Sequence, residues 1–337
     1  MRIMVVGGAG YIGSALVPRL MERGYDVRVV DLLWFGNRLP ETVPVAKRDA
    51  NNLTITDFIG VDQVIFLAGL SNDPMAEYSP SKNFHDNGAT PSYLCWLAKQ
   101  AGVKRFIYGG TCSVYGYTVD ELYDEDREAR SSYPYGISKL VGEFGCIQQK
   151  SNDYSVICFR QGTVSGYSPR MRFDLIVNTM FKTAMVESKI RVSNPAIWRP
   201  ILSVQDAATA YIRAVESPSE ISGIFNIASG NYTVGEVADI VNDSIEKNMG
   251  VRVAVEINNI TDFRNYKVST KKAQDVLSFK SKFSVADIVD ELCSKRSIFG
   301  DFTDQSFYNI TTFKMLDEEK EQQRPTDPSM MALAKAS

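Results

Sequence analysis

A doubly wound parallel α/β sheet is the fold class that this sequence predicts, and three observations point to it. Short apolar runs alternate in the first half of the chain with segments whose apolar residues recur at helical spacing. Two of the runs, 61–69 and 104–110, are apolar almost throughout, as strands buried on both faces require. The segment GGAGYIG lies between the first run and the first helix-like stretch.

The elements can be assigned in order along the chain. Strands are predicted at 2–6, 26–31, 43–47, 61–69, 104–110 and 154–160, and helices at 11–24, 92–102 and 135–149. From about residue 165 the alternation becomes irregular, and further helices and strands predict a smaller C-terminal lobe. We therefore expect a first domain at 1–165 with returns from the C-terminal half, a lobe at 166–315, and a polar, disordered or loosely docked tail at 316–337.

The composition excludes several classes of protein. A formal net charge of −3 over 337 residues gives no basic excess for nucleic acid or anionic lipid. No apolar run approaches the roughly 18 residues of a membrane span, and the N-terminus does not resemble a signal peptide. Five scattered cysteines and a single histidine, His85, argue against disulfides and a zinc site. We expect a cytoplasmic protein with no bound metal and no nucleic-acid or membrane partner.

The segment GGAGYIG has the spacing of a dinucleotide-binding turn. Its glycines allow a tight turn and close approach of the backbone to a pyrophosphate, and the following helix directs its N-terminus at the anion. Asp31 ends the second predicted strand, 18 residues after Gly13, where a carboxylate can accept hydrogen bonds from a ribose. It would repel a 2′-phosphate, so NAD is favoured over NADP. Cofactor contacts are predicted for Gly7, Gly10, Tyr11, Ile12, Gly13 and Asp31.

Asp49 follows the third predicted strand and has two interpretations. Its carboxylate is a candidate for the edge of the adenine ring, with Ala50 beside it. It is equally suited to cap a helix N-terminus.

Tyr135 and Lys139 are four residues apart in YGISK, on one face of a predicted helix. An ammonium group and an oxidised nicotinamide nearby would both lower the pKa of the phenol, which is normally near 10. The tyrosine could then remove a proton from a substrate hydroxyl while the carbon of that alcohol loses a hydride.

Together these motifs resemble the extended short-chain dehydrogenase/reductase family, in its NAD-dependent nucleotide-sugar epimerase/dehydratase branch. The resemblance covers Arg2 to about Leu292 and implies a Rossmann-like fold with a C-terminal substrate-binding lobe. One departure is Val6, where the family often has threonine. The matching segments are GGAGYIG, Asp31, FLAG at 66–69, NGAT at 87–90, TCSVYG at 111–116, YGISK at 135–139 and RPILSVQD at 199–206.

The resemblance also implies roles for individual residues. Thr111 takes the place of the hydroxyl beside the reacting carbon, Tyr135 that of the acid/base, and Lys139 that of the residue that binds the nicotinamide ribose. Asn87 matches a family asparagine more loosely, because Thr90 and Pro91 stand where glycine and threonine usually follow. Further cofactor contacts are implied for Leu67, Ala68 and Gly69.

The two residues after Thr111 bear on the type of reaction. Family members that eliminate water typically have aspartate and glutamate there, because elimination needs one group to protonate the leaving hydroxyl and another to remove a proton. Here the positions hold Cys112 and Ser113, which is closer to simple 4-epimerases. Two hypotheses for Cys112 remain open: a thiol with a lowered pKa that acts on the sugar, or a half-buried thiol without a role.

A nucleotide sugar brings a diphosphate, so cationic side chains are expected to converge on it. Arg199 and Arg264 match positions at which family members hold the pyrophosphate. Asn178 resembles the family's asparagine on the helix beneath the nucleotide. The full set of predicted substrate contacts is Ser113, Arg170, Arg172, Asn178, Arg199 and Arg264.

The leading hypothesis is an NAD-dependent epimerase that oxidises the sugar at C4 to a transient ketone and returns the hydride to the opposite face. The alternatives are a dehydratase with an unusual acid/base, or a net C4 dehydrogenase or reductase on a substrate such as a GDP-heptose. A non-catalytic NAD-binding sensor is a more distant alternative.

The resemblance also implies a homodimer through helices 92–102 and 135–149, which present Tyr93, Leu94, Trp96, Leu97, Leu140, Val141 and Phe144.

Overall fold

The computed structural model describes residues 1–258 and 264–322. The strands are β1 Arg2–Val6, β2 Asp26–Asp31, β3 Val45–Lys47, β4 Gln63–Phe66, β5 Arg105–Gly109, β6 Tyr117–Tyr123, β7 Ser155–Gln161, β8 Thr163–Ser165, β9 Lys189–Ser193, β10 Trp198–Ser203, β11 Gly223–Ile227, β12 Gly230–Thr233, β13 Ala254–Asn258 and β14 Asn265–Val268.

The α-helices are α1 Tyr11–Glu22, α2 Asp73–Tyr78, α3 Pro80–Phe84, α4 Thr90–Gln100, α5 Pro134–Ile147, α6 Ile176–Glu187, α7 Val204–Glu216, α8 Val234–Met249, α9 Lys271–Leu277, α10 Val285–Ser294 and α11 Asn309–Gln322. In the part of the chain that the structure describes, none of them combines the length and the apolar character that crossing a membrane demands.

The central sheet confirms the predicted doubly wound α/β fold. Its order is β11-β7-β5-β4-β1-β2-β3, and every neighbouring pair is parallel. The chain winds outward in one direction from β1 and in the other from β4. A crevice at the carboxyl ends of these two central strands is where such sheets bind ligands.

Both faces of the sheet are covered by helices, as the apolar runs predicted. In β1, Ile3 and Val5 pack into a cluster with residues of α1 and α7. The alternate residues Met4 and Val6 pack on the opposite face with residues of α4. This two-residue alternation leaves only the strand ends free to carry functional side chains.

The C-terminal half builds a second core beside the sheet. Phe181 of α6, Val241 of α8 and Ile288 of α10 are at most 1% exposed and belong to one apolar cluster. Smaller sheets surround it, in the orders β12-β10-β8, β13-β9 and β14-β6. This lobe stands over the carboxyl end of the central sheet through β8 and β10.

The last described helix, α11, continues past residue 316, where the sequence predicts the start of a polar tail. Helix α11 extends to Gln322, and residues 323–337 lie outside the described residues. Phe313 anchors the helix, because its ring is 4% exposed and lies 5.3 Å from the ring of Trp34 and 5.8 Å from that of Tyr78. The charged C-terminal sequence therefore continues a helix that Phe313 and Ile310 hold against the rest of the molecule.

Candidate active site

A cleft of about 630 Å³ opens at the carboxyl ends of the central strands. We call its two sides the sheet-side wall, which contains Gly7, Asp31, Leu67, Gly109 and Tyr135, and the lobe-side wall, which contains Arg170, Arg172, Asp174, Arg199 and Arg264. Most of the predicted site residues line this one cleft.

The glycine segment forms the floor of the sheet-side wall. Gly7 has φ of 81°, a left-handed conformation, and a Cβ there would lie 2.5 Å from the backbone nitrogen of Ala68. At Gly13 a Cβ would lie 2.3 Å from the carbonyl oxygen of Gly8. Gly10 caps α1 without a side-chain hydrogen bond, and no acidic residue occupies the first turn. The first amides of α1 therefore suit a phosphate that approaches the backbone closely.

Asp31 ends β2 beside this floor. Its two carboxylate oxygens accept hydrogen bonds from the backbone amides of Ala9, at 3.0 Å, and Leu33, at 2.8 Å. Burial raises the pKa of Asp31, and these hydrogen bonds oppose that rise. The carboxylate thus holds the glycine segment while it faces the cleft, where it can accept from ribose hydroxyls.

The structure places Asp49, Ala50, Leu67, Ala68 and Gly69 on the cleft. Asp49 also caps the short turn Ala50–Asn52, where its Oδ1 accepts a hydrogen bond of 2.9 Å from the amide of Asn51. Of its two interpretations, capping is therefore observed, and the carboxylate still lines the cleft.

Asn87, assigned to the cofactor from the sequence, does not line the cleft. It lies in the π-helical turn His85–Ala89, which directs its fully buried side chain into the protein. Its amide donates to the carbonyl of Leu70, at 2.9 Å, and to Oδ1 of Asn83, also at 2.9 Å. Asn87 therefore supports the segment after β4, whose residues Leu67, Ala68 and Gly69 line the cleft.

Tyr135 and Lys139 both face the cleft from α5. The ammonium of Lys139 donates to the carbonyl of Gly109 at 3.1 Å, and burial lowers its pKa to about 8. Burial raises the pKa of Tyr135, opposed most strongly by the charge of Arg172. Burial thus outweighs the favourable charge of Arg172; that Lys139 and the nicotinamide lower the pKa of the phenol stays a prediction.

Thr111, Cys112 and Ser113 follow β5 and point in different directions. The Thr111 hydroxyl donates to Ser113 Oγ at 3.1 Å, and Ser113 Oγ lies 3.2 Å from the hydroxyl of Tyr266. Thr111, Ser113 and Tyr266 line the cleft. Cys112 does not, because the turn Cys112–Tyr115 directs its thiol inward, where it donates to the carbonyl of Arg160 at 3.1 Å.

Cys112 is therefore not placed to act on a substrate. It is fully buried in an apolar cluster, and burial raises the pKa of its thiol well above the usual range. The sequence-based alternative was a half-buried thiol without a role, whereas the structure buries this side chain completely.

A buried ion pair fixes α5 to the sheet beneath Tyr135. Arg160 of β7 makes two hydrogen bonds to the carboxylate of Glu143, at 2.9 and 2.7 Å, and a third to the hydroxyl of Tyr115, at 2.8 Å. The two charged side chains are 4% and 1% exposed. Since breaking a buried pair leaves an uncompensated charge, this contact strongly constrains the position of the helix.

The predicted substrate arginines converge on the lobe-side wall in different states. Arg172 makes two hydrogen bonds to Asp174, at 2.9 and 2.8 Å. Arg264 bonds Asp73 at 2.5 Å, and its guanidinium lies 5.0 Å from the ring of Tyr133. Arg199 donates to the backbone carbonyl of Arg264. These three arginines and Arg170 all line the cleft.

Asn178 has a structural role, in contrast to its predicted contact with the substrate. It is fully buried and absent from the lining of the cleft. Its Oδ1 accepts from the amide of Gly166 at 2.9 Å, and its Nδ2 donates to the carbonyl of Arg172 at 2.8 Å. The side chain therefore shapes the loop 166–172.

Asp73 is a cleft residue that the sequence analysis missed. It begins α2 directly after Asn72, which caps that helix, and lies on the cleft with Oδ2 bonded to Arg264. Burial raises its pKa, and its negative charge raises the pKa of Tyr135. The available signal was the polar triplet Ser71, Asn72 and Asp73 directly after a buried strand, at the edge where parallel sheets bind ligands.

Comparison with known proteins identifies the family. The family model described as "NAD dependent epimerase/dehydratase family" matches residues 3–228. Among curated proteins, UDP-glucuronic acid decarboxylase 2 of Arabidopsis thaliana is 26% identical over 93% of this chain and 73% of its own. UDP-glucose 4-epimerase of Corynebacterium glutamicum is 26% identical over 71% of this chain and 79% of its own.

Among solved structures, MoeE5 in complex with UDP-glucuronic acid and NAD superposes with a TM-score of 0.77. It is 24% identical, and the match covers 88% of this chain and 100% of MoeE5. The family match, and the glycine floor and Asp31 described above, make NAD the cofactor of this chain. The chain belongs to the NAD-dependent epimerase/dehydratase family.

Proposed function

We propose that the chain is a nucleotide-sugar 4-epimerase. The observation that carries the proposal is the set of side chains at the floor of the cleft: Thr111, Tyr135 and Lys139 face it, whereas the residue after Thr111 is a buried thiol and the next is a serine. This set can remove and return the proton of one alcohol. It lacks the acidic pair that elimination requires after Thr111.

Each residue has one role in the proposed reaction. NAD supplies a hydride acceptor that becomes a donor within the same cycle. Tyr135 removes the proton of the C4 hydroxyl and later returns a proton to the ketone oxygen. The Thr111 hydroxyl hydrogen-bonds that oxygen, and Lys139 holds the nicotinamide ribose. The ammonium of Lys139 lowers the free energy of the Tyr135 phenolate once the cofactor is bound.

The substrate is proposed to be a nucleotide diphosphate sugar. Arg199 and Arg264 on the lobe-side wall supply two guanidinium groups, the usual partners of a diphosphate. Their contacts with each other and with Asp73 hold both groups in place before the substrate arrives. An arrangement fixed in advance loses less conformational entropy on binding.

Elimination is the second candidate, and Asp73 is the observation that favours it. This carboxylate lies on the cleft, and its charge acts on Tyr135. A base in that position could remove a proton beside a C4 ketone. The 2.5 Å bond to Arg264 weakens this role, because the cation stabilises the ionised carboxylate and occupies one of its oxygens.

A product analysis in deuterated water tests the proposal. The purified protein is incubated with UDP-, GDP-, dTDP- and CDP-sugars without added cofactor, and products are read by mass spectrometry and proton NMR. We expect an isomer of unchanged mass and no deuterium incorporation. Loss of water, or deuterium at C3, C5 or C6, would replace the epimerase proposal with elimination. Absence of turnover on every sugar, with NAD bound, would support the sensor alternative.

We also propose a homodimer formed by α4 and α5. These helices expose Tyr93 at 54%, Trp96 at 44%, Val141 at 48% and Phe144 at 56%, and the rings of Tyr93 and Trp96 stack 6.1 Å apart. Large exposed apolar groups on neighbouring helices are typical of an interface. Phe144→Glu should convert a dimer to a monomer in light scattering. Ile59→Glu, at a residue 65% exposed elsewhere, is the matched control, and a monomeric wild type would refute the proposal.

A further inference from the structure

Arg170 differs from its neighbours in having no ionic partner. It is 3% exposed and lines the cleft, yet no carboxylate among the described residues lies within ion-pair distance of it. Its Nη2 donates to Oδ1 of Asn309 at 2.5 Å, and its buried Nε has no hydrogen-bond partner within residues 1–258 and 264–322. A buried guanidinium in this state is unfavourable unless an anion approaches it.

The position of Arg170 shows which part of the cleft it serves. Its guanidinium lies 3.7 Å from the ring centre of Phe35, on the loop that follows β2. Asn309, which holds it, donates to Ser71 Oγ at 2.7 Å, on the loop that follows β4. In the sheet, β1 lies between β4 and β2. The guanidinium therefore lies across the carboxyl end of β1, above the glycine segment.

The loop that carries Arg170 is docked on that segment. Ser168 Oγ donates to the carbonyl of Tyr11 at 2.6 Å, and the hydroxyl of Tyr11 donates to the carbonyl of Gly166 at 2.6 Å. Both bonds join the loop to the first turn of α1. This turn offers its free amides to the same space from below.

The lack of an ionic partner at Arg170 is not a general property of this loop, because Arg172, only two residues away, has one. Its guanidinium is neutralised by Asp174 through two hydrogen bonds. Burial lowers the pKa of Arg170 to about 9 and the charge of Arg172 lowers it further, whereas the carboxylates of Asp174 and Asp31, neither within ion-pair distance, raise it and only partly offset the burial. An anion at Arg170 would reverse both effects, whereas Arg172 already has its partner.

We propose that Arg170 binds the pyrophosphate of the dinucleotide, and that Asn309 positions it. The C-terminal segment that leads into α11 is then part of the cofactor site. This assignment replaces the sequence-based expectation that Arg170 contacts the substrate diphosphate. It depends on the identity of the cofactor and is independent of whether the reaction is epimerisation or elimination.

Binding of cofactor fragments to protein stripped of NAD tests the proposal. Titration calorimetry of Arg170→Gln should show NAD and ADP-ribose binding weakened by about 10-fold to 100-fold, as expected for a lost charged contact. Adenosine, which has no phosphate, should bind within about 2-fold of wild type. UDP and GDP should also be unaffected. Asn309→Ala should give a smaller loss in the same two ligands, and Arg213→Gln, at an exposed residue of α7, is the control.

A loss confined to UDP or GDP would return Arg170 to the substrate diphosphate and overturn the proposal. Equal losses for adenosine and ADP-ribose would overturn it as well. Thermal unfolding separates ligand binding from a structural role. Without ligand, Arg170→Gln should melt at or above the wild-type temperature, because it removes an unpaired buried charge. Saturating NAD should raise the melting temperature of the wild type by more than that of Arg170→Gln. A lower melting temperature for the ligand-free variant would show that Arg170 is structural.

Discussion

The sheet-side wall of the cleft is made largely of backbone, whereas the lobe-side wall is made of long charged side chains. On the first, a Cβ at Gly7 or Gly13 would lie within 2.5 Å of backbone atoms, so no residue other than glycine fits there. On the second, the arrangement is set by ion pairs between side chains, Arg172–Asp174 and Arg264–Asp73. The part of the cofactor site that the glycine segment builds is therefore restricted by sterics, and recognition of the substrate by charge placement.

The difference concerns what each wall must recognise. A dinucleotide presents the same pyrophosphate in every family member, so a fixed surface of amides and glycines, completed by Arg170 from the lobe-side wall, can serve all of them. Sugars differ in a few hydroxyls or charges, and discrimination among them needs polar groups that are left unpaired by the wrong substrate. Substitutions in the sheet-side wall should cause all-or-none losses, and those in the lobe-side wall graded changes.

The largest effect is expected at Tyr135, where the two walls meet. Tyr135→Phe removes the group that exchanges the proton and should lower kcat by roughly 10²-fold to 10⁴-fold. The ring remains, so NAD content and melting temperature should match those of wild type. Steady-state kinetics on the substrate from the product screen provide the measurement. A decrease below 10-fold would contradict the assignment of Tyr135 as the acid/base.

Gly13→Ala tests the backbone-built wall. The new methyl group would lie 2.3 Å from the carbonyl oxygen of Gly8, so the turn must shift. We expect loss of copurified NAD and destabilisation of about 1–3 kcal/mol in denaturant unfolding. In Gly235→Ala the nearest atom would be 3.2 Å away, and this control should bind NAD as wild type does. Retention of NAD by Gly13→Ala would show that the floor is more adaptable than proposed.

Two opposite charges near Tyr135 should change the pH dependence of kcat in opposite directions. The charge of Asp73 raises the pKa of Tyr135 and that of Arg172 lowers it. Since the rate increases as the phenol ionises, Asp73→Asn should move the ascending limb of the profile to lower pH. Arg172→Gln should move it to higher pH, each by about one pH unit or less. Two shifts of the same sign would exclude a direct electrostatic effect on Tyr135.

The smallest effect is expected behind the cleft. Cys112→Ala should leave the product unchanged and alter kcat by less than about 3-fold, because the thiol faces the carbonyl of Arg160. Thiol labelling of the native protein at pH 8 should modify Cys112 only after unfolding, since burial raises its pKa. A change of product in Cys112→Ala would restore the thiol as an acid/base.

The sequence predicted those parts of the site that depend on local spacing. The glycine floor, Asp31 and the Tyr135–Lys139 pair each follow from a strand end or from one helical turn, and the structure places all of them on the cleft. Cys112 and Asn178 lie off the cleft, because adjacent positions in a short turn or on a helix point about 100° apart and the sequence does not show which of them faces the cleft. Asp73 and Asn309 were missed, because their partners lie 191 and 238 residues away in the chain.

The ion pair between Glu143 and Arg160 constrains how this chain can change over evolutionary time. Neither partner is exposed, so a neutral residue at only one position leaves the other charge stranded beneath the catalytic helix. Simultaneous replacement by two apolar residues of similar volume leaves no such charge. In a lineage of related sequences the two positions should therefore mutate together, as a correlated pair, whichever sugar each descendant converts.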